Sequence, residues 1–125
     1  MNLIRIKELS KIYNTGTENV YALSGINLNI YENEFLAIMG RSASGKTTLL
    51  NIIGCLDVCT DGFYYLREQN IRQLNMLQLA KLRNKCFGFV LQQFALIDYF
   101  TVYENIVIPL NFNEQKLSRK KSKQR

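Results

Sequence analysis

Residues 40–47, with the sequence GRSASGKT, constrain the fold of this chain more than any other stretch. They fit the pattern G-x-x-x-x-G-K-[ST], which is typical of a phosphate-binding loop. Residues 35–39, just before the loop, form a continuous apolar run and predict a buried strand. The apolar residues after the loop recur at the spacing of one helix face: Leu49, Ile52, Ile53 and Leu56. Strand, loop and helix therefore follow one another as they do in a P-loop.

The residue types of this loop suit the binding of a polyphosphate. A tight loop at a helix N-terminus turns several backbone N–H groups toward an anion. Gly40 and Gly45 allow backbone conformations and close approaches that a Cβ would block. Lys46 would place its ammonium on the β- and γ-phosphates, and the hydroxyl of Thr47 would bind Mg²⁺. The alternative is an ordinary Gly/Ser turn before a helix, and the flanking strand and helix argue against it.

The size and composition indicate one domain with a hydrophobic core. The chain has 125 residues, of which 47% are hydrophobic, so its composition is not that of a disordered protein. No apolar run approaches the roughly 20 residues of a membrane span. Residues 1–7 alternate between apolar and polar and lack the apolar core of a signal peptide. We therefore expect a cytoplasmic protein.

The net charge of +6 lies in one segment. Residues 116–125 carry six basic residues and no acid, whereas bases and acids balance in residues 1–115. We expect residues 1–115 to fold and residues 116–125 to form a disordered basic tail. A nucleic-acid-binding protein would carry a basic face on its folded part, so we expect no nucleic-acid partner.

The three cysteines do not form a recognisable metal or disulfide pattern. There is no C-x-x-C pair and no histidine, which argues against a zinc site. Cys55 and Cys86 fall at apolar positions and are expected in the core. Cys59 lies in a predicted turn without an assigned role.

Two strands are predicted before the loop. Residues 2–9 alternate, with Leu9 on the side opposite Ile4 and Ile6. Residues 20–31 alternate as well, and a polar turn at residues 14–19 separates the two segments. The pattern predicts a small antiparallel sheet beside the loop.

Further elements are predicted after the loop. Residues 63–66 are expected to form a short strand, residues 71–85 a helix and residues 87–91 a second buried strand. A later helix would begin at Thr101, because Glu104 stands three residues on, as in a capping box.

The chain resembles the N-terminal half of an ABC-transporter nucleotide-binding domain, in the branch that serves lipoprotein release, macrolide export and antimicrobial-peptide export. The likeness runs from about residue 3 to residue 117. The segments that carry it are residues 11–13 (KIY), 20–23 (VYAL), 34–40 (EFLAIMG), 44–57 (SGKTTLLNIIGCLD), 82–85 (LRNK), 88–94 (GFVLQQF) and 104–110 (ENIVIPL). It implies an α/β P-loop NTPase fold, with an ABC-type RecA-like core and an antiparallel β-subdomain. It also implies that residues 1–115 stop short of the signature motif and Walker B.

The resemblance implies roles for individual residues. Tyr13 stands where the family stacks an aromatic ring on adenine, although a Tyr that simply closes a strand is the alternative. Gln92 falls in the Q-loop, where its amide oxygen would reach Mg²⁺ and the attacking water, and Gln93 is the rival candidate. The implied Mg²⁺ ligands are thus Thr47 and Gln92. The residues implied to contact ATP are Tyr13, Gly40, Arg41, Ser42, Ala43, Ser44, Gly45, Lys46, Thr47, Thr48 and Gln92.

Several positions depart from the family pattern. Arg41 and Ala43 replace a common Pro and Gly of the loop, Thr47 replaces Ser, and Asn33 stands where Gly is usual. Thr47 keeps the hydroxyl ligand. Ala43 is a mild departure, because the backbone must still approach phosphate there. Cys59 replaces a Pro, with no expected effect on binding.

The family's signature loop, its Walker B strand and its switch histidine are not found in residues 1–125. Three look-alikes are rejected: residues 23–25 precede the P-loop, Asp98 is expected in a loop, and Asp57 is not an Mg²⁺ ligand. Without these groups, the 125-residue chain by itself is expected to bind ATP but not to hydrolyse it. The family's core sheet takes strands from both halves of its sequence. An uncovered apolar face and marginal stability are therefore also expected.

The function implied is the ATP-binding subunit of an ABC exporter. It would act with a transmembrane permease and a second copy of itself, on the inner face of the membrane, and residues 93–117 would lead into the subdomain that contacts the permease. A small P-loop kinase or GTPase would need a Walker B or base-reading motif of its own, and none is found. A non-enzymatic remnant that binds nucleotide weakly, or does not fold unaided, remains the alternative.

Overall fold

The computed structural model describes residues 1–90 and 96–111, which form two compact units, Met1–Leu79 and Ala80–Arg125. The elements in chain order are β1 (Asn2–Asn14), β2 (Asn19–Tyr31), α1 (Lys46–Ile53), β3 (Asp61–Leu66), β4 (Gln69–Asn70), a 3-10 turn (Ile71–Gln73), α2 (Met76–Cys86) and α3 (Val102–Asn111). Within the described ranges, no helix combines the length and apolar character needed to cross a membrane.

The first unit is built on a four-stranded antiparallel sheet in the order β2-β1-β3-β4. β1 and β2 form a hairpin that closes where Asn14 pairs with Asn19, so the predicted polar turn and antiparallel pairing are confirmed. Asn14 stabilises that turn, because its side-chain oxygen accepts a hydrogen bond of 2.7 Å from the backbone N–H of Gly16.

A bulge at Glu8 changes the face of the sheet on which the next residues lie. Glu8 has a φ of 49°, and the pairing of β1 with both neighbours shifts there. The predicted side for Leu9 is therefore wrong: Leu9 is buried with Ile4 and Ile6, because an extra residue moves the alternation by one position. Gly62 of β3 fits against this bulge, since a Cβ there would collide with the carbonyl of Glu8.

Helix α1 supplies the other side of the first unit's core. Leu49 and Ile52 are buried, as the helical spacing predicts, whereas Leu56 lies beyond the helix and is exposed. The fully buried Tyr64 of β3 donates a hydrogen bond of 2.6 Å to the carbonyl of Ile53, at the last turn of the helix. This bond satisfies a carbonyl that the end of the helix leaves without an intrahelical donor.

The burial of the three cysteines differs in part from the prediction. Cys55 is buried as expected, and Cys59 is buried as well. Cys86 is exposed at the end of α2, so its predicted place in the core is wrong.

The predicted helix at residues 71–85 begins later than expected. Asn75 and Gln78 exchange two hydrogen bonds of 2.9 Å, each from a backbone N–H to the other's side-chain oxygen. This reciprocal cap fixes the start of α2 at Met76, and the residues before it form the short 3-10 turn. Leu79 is buried, in keeping with the predicted apolar face.

Two predicted buried strands are not formed in the described residues. Residues 35–39 have no regular structure, and Phe35 and Met39 are 96% and 88% exposed. Residues 87–90 likewise have none, and Val90 is fully exposed; Leu91 lies outside the described residues. Among the described residues, neither run has a partner strand, and an extended run without partner strands has no backbone ladder to stabilise it.

In the second unit, α3 begins at Val102 immediately after the predicted cap. The carboxylate of Glu104 accepts hydrogen bonds of 2.8 Å from the N–H and the hydroxyl of Thr101. The Thr101 hydroxyl in turn accepts from the N–H of Glu104 at 3.2 Å. The capping box is confirmed, and Asp98 lies in the turn before it, as expected for a loop residue.

Candidate functional site

The loop of residues 40–45 reaches α1 through two residues in the left-handed backbone region. Ala43 has a φ of 62°, and Gly45, the N-cap of α1, has a φ of 83°. A Cβ at Gly45 would also collide with the carbonyl of Ala22, on β2. Glycine is therefore required at this position both by its conformation and by its contact with the sheet. The contact fixes the start of α1 against the hairpin.

Lys46, the first residue of α1, folds its side chain back over the loop. Its ammonium donates hydrogen bonds to the carbonyl of Gly40 at 2.9 Å, to the hydroxyl of Ser44 at 3.2 Å and to the carbonyl of Arg41. The first turn of α1 contains no acidic residue. The charge of Lys46 and the positive end of the helix thus act together at one place, which suits an anion with several negative oxygens.

The remaining loop positions are open to solvent. Arg41, Ser42, Ala43 and Ser44 are exposed, and so is Thr47, whose hydroxyl stands in the first turn of α1. The donor set fits a polyphosphate, and Thr47 offers the oxygen ligand that Mg²⁺ prefers. Within residues 1–90 and 96–111, no group of three or more His, Cys, Asp or Glu side chains could hold a metal unaided.

Tyr13, near the end of β1, is held at its hydroxyl by the turn that follows α1. The phenol donates a hydrogen bond of 2.7 Å to Oδ2 of Asp57. Two effects raise the pKa of Tyr13: partial desolvation, which is the larger, and the hydrogen bond to the Asp57 carboxylate. The phenol therefore stays protonated at neutral pH. Tyr13 is thus tied to the turn after α1, and its predicted role on adenine stays a prediction.

Asp57 is engaged by three donors. Lys11 Nζ donates to Oδ1 at 2.7 Å, the backbone N–H of Val58 donates to the same oxygen at 2.7 Å, and the Tyr13 phenol occupies Oδ2. Desolvation acts to raise the pKa of Asp57, but these hydrogen bonds outweigh it and lower that pKa. A carboxylate engaged by three donors in this way is a poor candidate for a metal ligand.

Sequence reasoning did not find Lys11 or assign a partner to Asp57. The two residues lie 46 positions apart, so no local pattern joins them. The sequence carried no signal for this pair, because Lys11 lies beyond the predicted strand of residues 2–9. Its burial, with only 9% of its surface exposed, is seen in the structure, and buried lysines are almost always paired. The predicted Q-loop candidates Gln92 and Gln93 lie outside the described residues, and so does the basic tail.

Comparisons with known proteins identify the family to which this chain is similar. A family model described as "ABC transporter" matches residues 23–125. An uncharacterized ABC transporter ATP-binding protein of Methanocaldococcus jannaschii, MJ0796, is 48% identical over 110 residues, which cover 88% of this chain and 47% of that protein. The macrolide export ATP-binding/permease protein MacB of Brucella abortus is 47% identical over 107 residues, which cover 86% of this chain and 17% of that protein.

A solved structure extends the likeness to the fold. The dimeric structure of the ATP-binding cassette MJ0796 in a post-hydrolysis state, bound to ADP and Pi, matches with a TM-score of 0.88 and 43% identity. The match covers 97% of this chain and 53% of that chain. The predicted α/β P-loop NTPase fold of the ABC type is confirmed, and so is the branch that includes macrolide export.

The matched lengths are unequal: this chain spans about half of the Methanocaldococcus jannaschii relative and a smaller share of the macrolide export protein. The family model nevertheless covers well over half of the chain. This chain therefore belongs to the ABC transporter family, among its ATP-binding proteins.

Proposed function

We propose that this chain is the ATP-binding subunit of an ABC exporter and that it binds Mg-ATP at residues 40–47. The observation that carries the proposal is the convergence of the Lys46 ammonium and the N-terminus of α1 on one exposed loop. In this arrangement the loop N–H groups and Lys46 bind the triphosphate. Thr47 offers its hydroxyl to Mg²⁺, and the Tyr13 ring stacks on adenine.

The proposed partners follow from the family. A second copy of the chain would face the nucleotide, since MJ0796 has been solved as a dimer. A transmembrane permease would hold the subunit at the inner face of the membrane, since MacB is an ATP-binding/permease protein. Residues 93–117 would lead toward the permease, and Gln92 would contact Mg²⁺.

We also propose that this 125-residue stretch, tested by itself, does not turn ATP over. Phosphoryl transfer depends on positioned charges around the γ-phosphate and the attacking water. Neither of its two look-alike carboxylates is suited to hold Mg²⁺ or activate water: Asp57 is engaged by three donors, and Asp98 lies in the turn before α3. The bound metal would neutralise phosphate charge, and the residues of this stretch would bind and orient the nucleotide only.

The test is a nucleotide-dependent melting shift of the 125-residue chain with Mg-ATP. At a concentration of ~100 Kd, binding to the folded state alone adds ~2.7 kcal/mol to the free energy of unfolding. That gain raises the melting temperature by several degrees. Lys46→Ala should lose the shift, whereas Lys85→Ala, which removes the same charge from an exposed position on α2, should keep it.

Phosphate release, measured on the same samples, tests the second proposal. We expect release at the level of the buffer blank for both the native chain and Lys46→Ala. Release by the native chain that Lys46→Ala abolishes would contradict the absence of turnover. A cooperative melt without any shift would contradict nucleotide binding, and absence of a cooperative melt would favour the non-enzymatic remnant.

A further inference from the structure

The ring of Tyr13 is held at two points by residues that the proposed nucleotide contacts do not use. Its hydroxyl donates to Asp57 Oδ2 at 2.7 Å. The Lys11 ammonium lies over one face of the ring, 4.7 Å from the centroid. Lys11 is itself fixed, because it donates to Asp57 Oδ1 at 2.7 Å and to the carbonyl of Val58 at 2.8 Å. The three side chains therefore form a closed cluster in which each contacts the other two.

This cluster restricts the motion of the Tyr13 ring and leaves part of the ring open to a ligand. The hydroxyl and one face are occupied, yet Tyr13 is 39% exposed. A tyrosine side chain has two rotatable bonds, and an anchored hydroxyl and a covered face restrict both of them. A flat ring held in this way is a suitable platform for a planar base, which stacks through its π-face.

The cluster also ties the platform to the phosphate loop. Asp57 lies in the turn that follows α1, and α1 begins at Lys46. The carboxylate that holds the ring therefore stands shortly after the helix that begins with the phosphate-binding lysine. The segment from Lys46 to Asp57 connects the proposed phosphate site to the group that anchors the Tyr13 hydroxyl.

We propose that Asp57 and Lys11 are positioning residues that hold Tyr13 as a pre-formed platform for the adenine base. The inference rests on the proposed nucleotide site and adds to it the residues that determine affinity for the base. Ordering a free side chain upon binding costs free energy, so a ring that is already fixed binds more tightly. The hydrogen bonds and ion pair of the Asp57 and Lys11 side chains go to each other, to Tyr13 and to Val58, and none goes to the described residues 40–47, so their effect should be confined to the base.

A purely structural role for Asp57 is the competing explanation. The turn after α1 has other attachments to β1: the N–H of Thr60 donates to the carbonyl of Ser10 at 2.9 Å, and the N–H of Ile12 donates to the Thr60 hydroxyl at 3.0 Å. These bonds do not involve Asp57 and remain available to hold the turn when Asp57 is replaced by Asn. A substitution at Asp57 should therefore change the platform more than the fold.

The test compares the affinities of Mg-ATP and of Mg-tripolyphosphate, which has the phosphates but no base, for four forms of the chain. Asp57→Asn and Tyr13→Phe should weaken ATP binding roughly three- to tenfold and leave tripolyphosphate binding unchanged. Lys46→Ala should weaken both ligands. Tyr13→Phe keeps the ring and the Lys11–Asp57 ion pair, so it decides the question even if Asp57→Asn is poorly folded.

The outcomes separate the two proposals. Equal losses for both ligands in Asp57→Asn and Tyr13→Phe, or no loss for ATP in either, would overturn the positioning role while leaving the nucleotide site intact. Binding of neither ligand to the native chain would overturn the nucleotide site and the positioning role with it. A loss confined to ATP would support the platform.

Discussion

Ala43 and Asn33 both have backbone angles that favour glycine, with φ values of 62° and 63°. At both positions the ABC sequences that this chain resembles usually carry Gly. Asn tolerates the left-handed region because its short polar side chain bonds locally, whereas Ala has no such compensation. Replacing Gly by Ala at position 43 therefore strains the backbone of the phosphate loop. Replacing Gly by Asn at position 33 strains the backbone there less.

Ala43→Gly should stabilise the chain. Removing the Cβ relieves a strain of ~1–2 kcal/mol, part of which the greater freedom of glycine in the unfolded chain offsets, so we expect a net gain of ~0.5–1 kcal/mol. Urea unfolding would measure this gain as a higher midpoint at an unchanged slope. Ala37→Gly is the control, since Ala37 has no positive φ and should lose stability. Equal losses in the two variants would show that Ala43 is not strained.

At the scale of elements, the local patterns were predicted well. The hairpin of β1 and β2 and the capping boxes depend on residues close in sequence, so alternation and turn composition were enough to find the hairpin and the cap at Thr101. The face of Leu9 could not be predicted in this way. It depends on the bulge at Glu8, which is accommodated by Gly62 on another strand.

The two apolar runs show where prediction from local sequence patterns fails. Residues 35–39 and 87–91 were predicted as buried strands because a continuous apolar run is consistent with a strand covered on both faces. Burial depends on neighbouring strands and covering helices, which an apolar run does not itself supply. In the described residues the first run and residues 87–90 of the second lack such neighbours. The prediction was therefore wrong for this chain.

The phosphate loop and the Tyr13 cluster show the same contrast within the site. The motif places Gly40, Gly45 and Lys46 within a few residues of one another, so the loop was predictable from sequence. The ion pair of Lys11 and Asp57 joins β1 to the turn after α1, and only the folded sheet brings the two together.

The cap of α3 makes a prediction at this scale. Thr101→Ala removes both hydroxyl bonds to Glu104 and should cost ~1 kcal/mol of local helix stability. Amide hydrogen exchange should become faster in the first turn of α3, by roughly fivefold at that energy. Ser24→Ala, at an exposed position of β2, is the hydroxyl-to-methyl control and should leave α3 unchanged. Protection that is the same in both variants would show that the capping box contributes nothing measurable.

At the scale of the whole molecule, each unit presents apolar side chains to solvent. The first unit exposes Phe35 and Met39 in the run before the phosphate loop. The second exposes Val90, Tyr99 and Val102. Contiguous exposed apolar surface favours association and the binding of hydrophobic dyes. The exposure agrees with the uncovered apolar face that the resemblance predicted, and marginal stability remains a prediction.

Phe35→Ser should therefore make the isolated 125-residue chain less prone to associate without destabilising it. A side chain that is 96% exposed contributes almost no burial to the fold, so the melting temperature should change by no more than a degree or two. Dye fluorescence and the sedimenting fraction should both fall, because the largest side chain of the run is removed. Tyr21→Ser, an exposed aromatic on β2, is the matched control and should lower them less. If Phe35→Ser instead lowered the melting temperature by many degrees, residues 35–39 would be packed in solution, and the predicted strand would form after all.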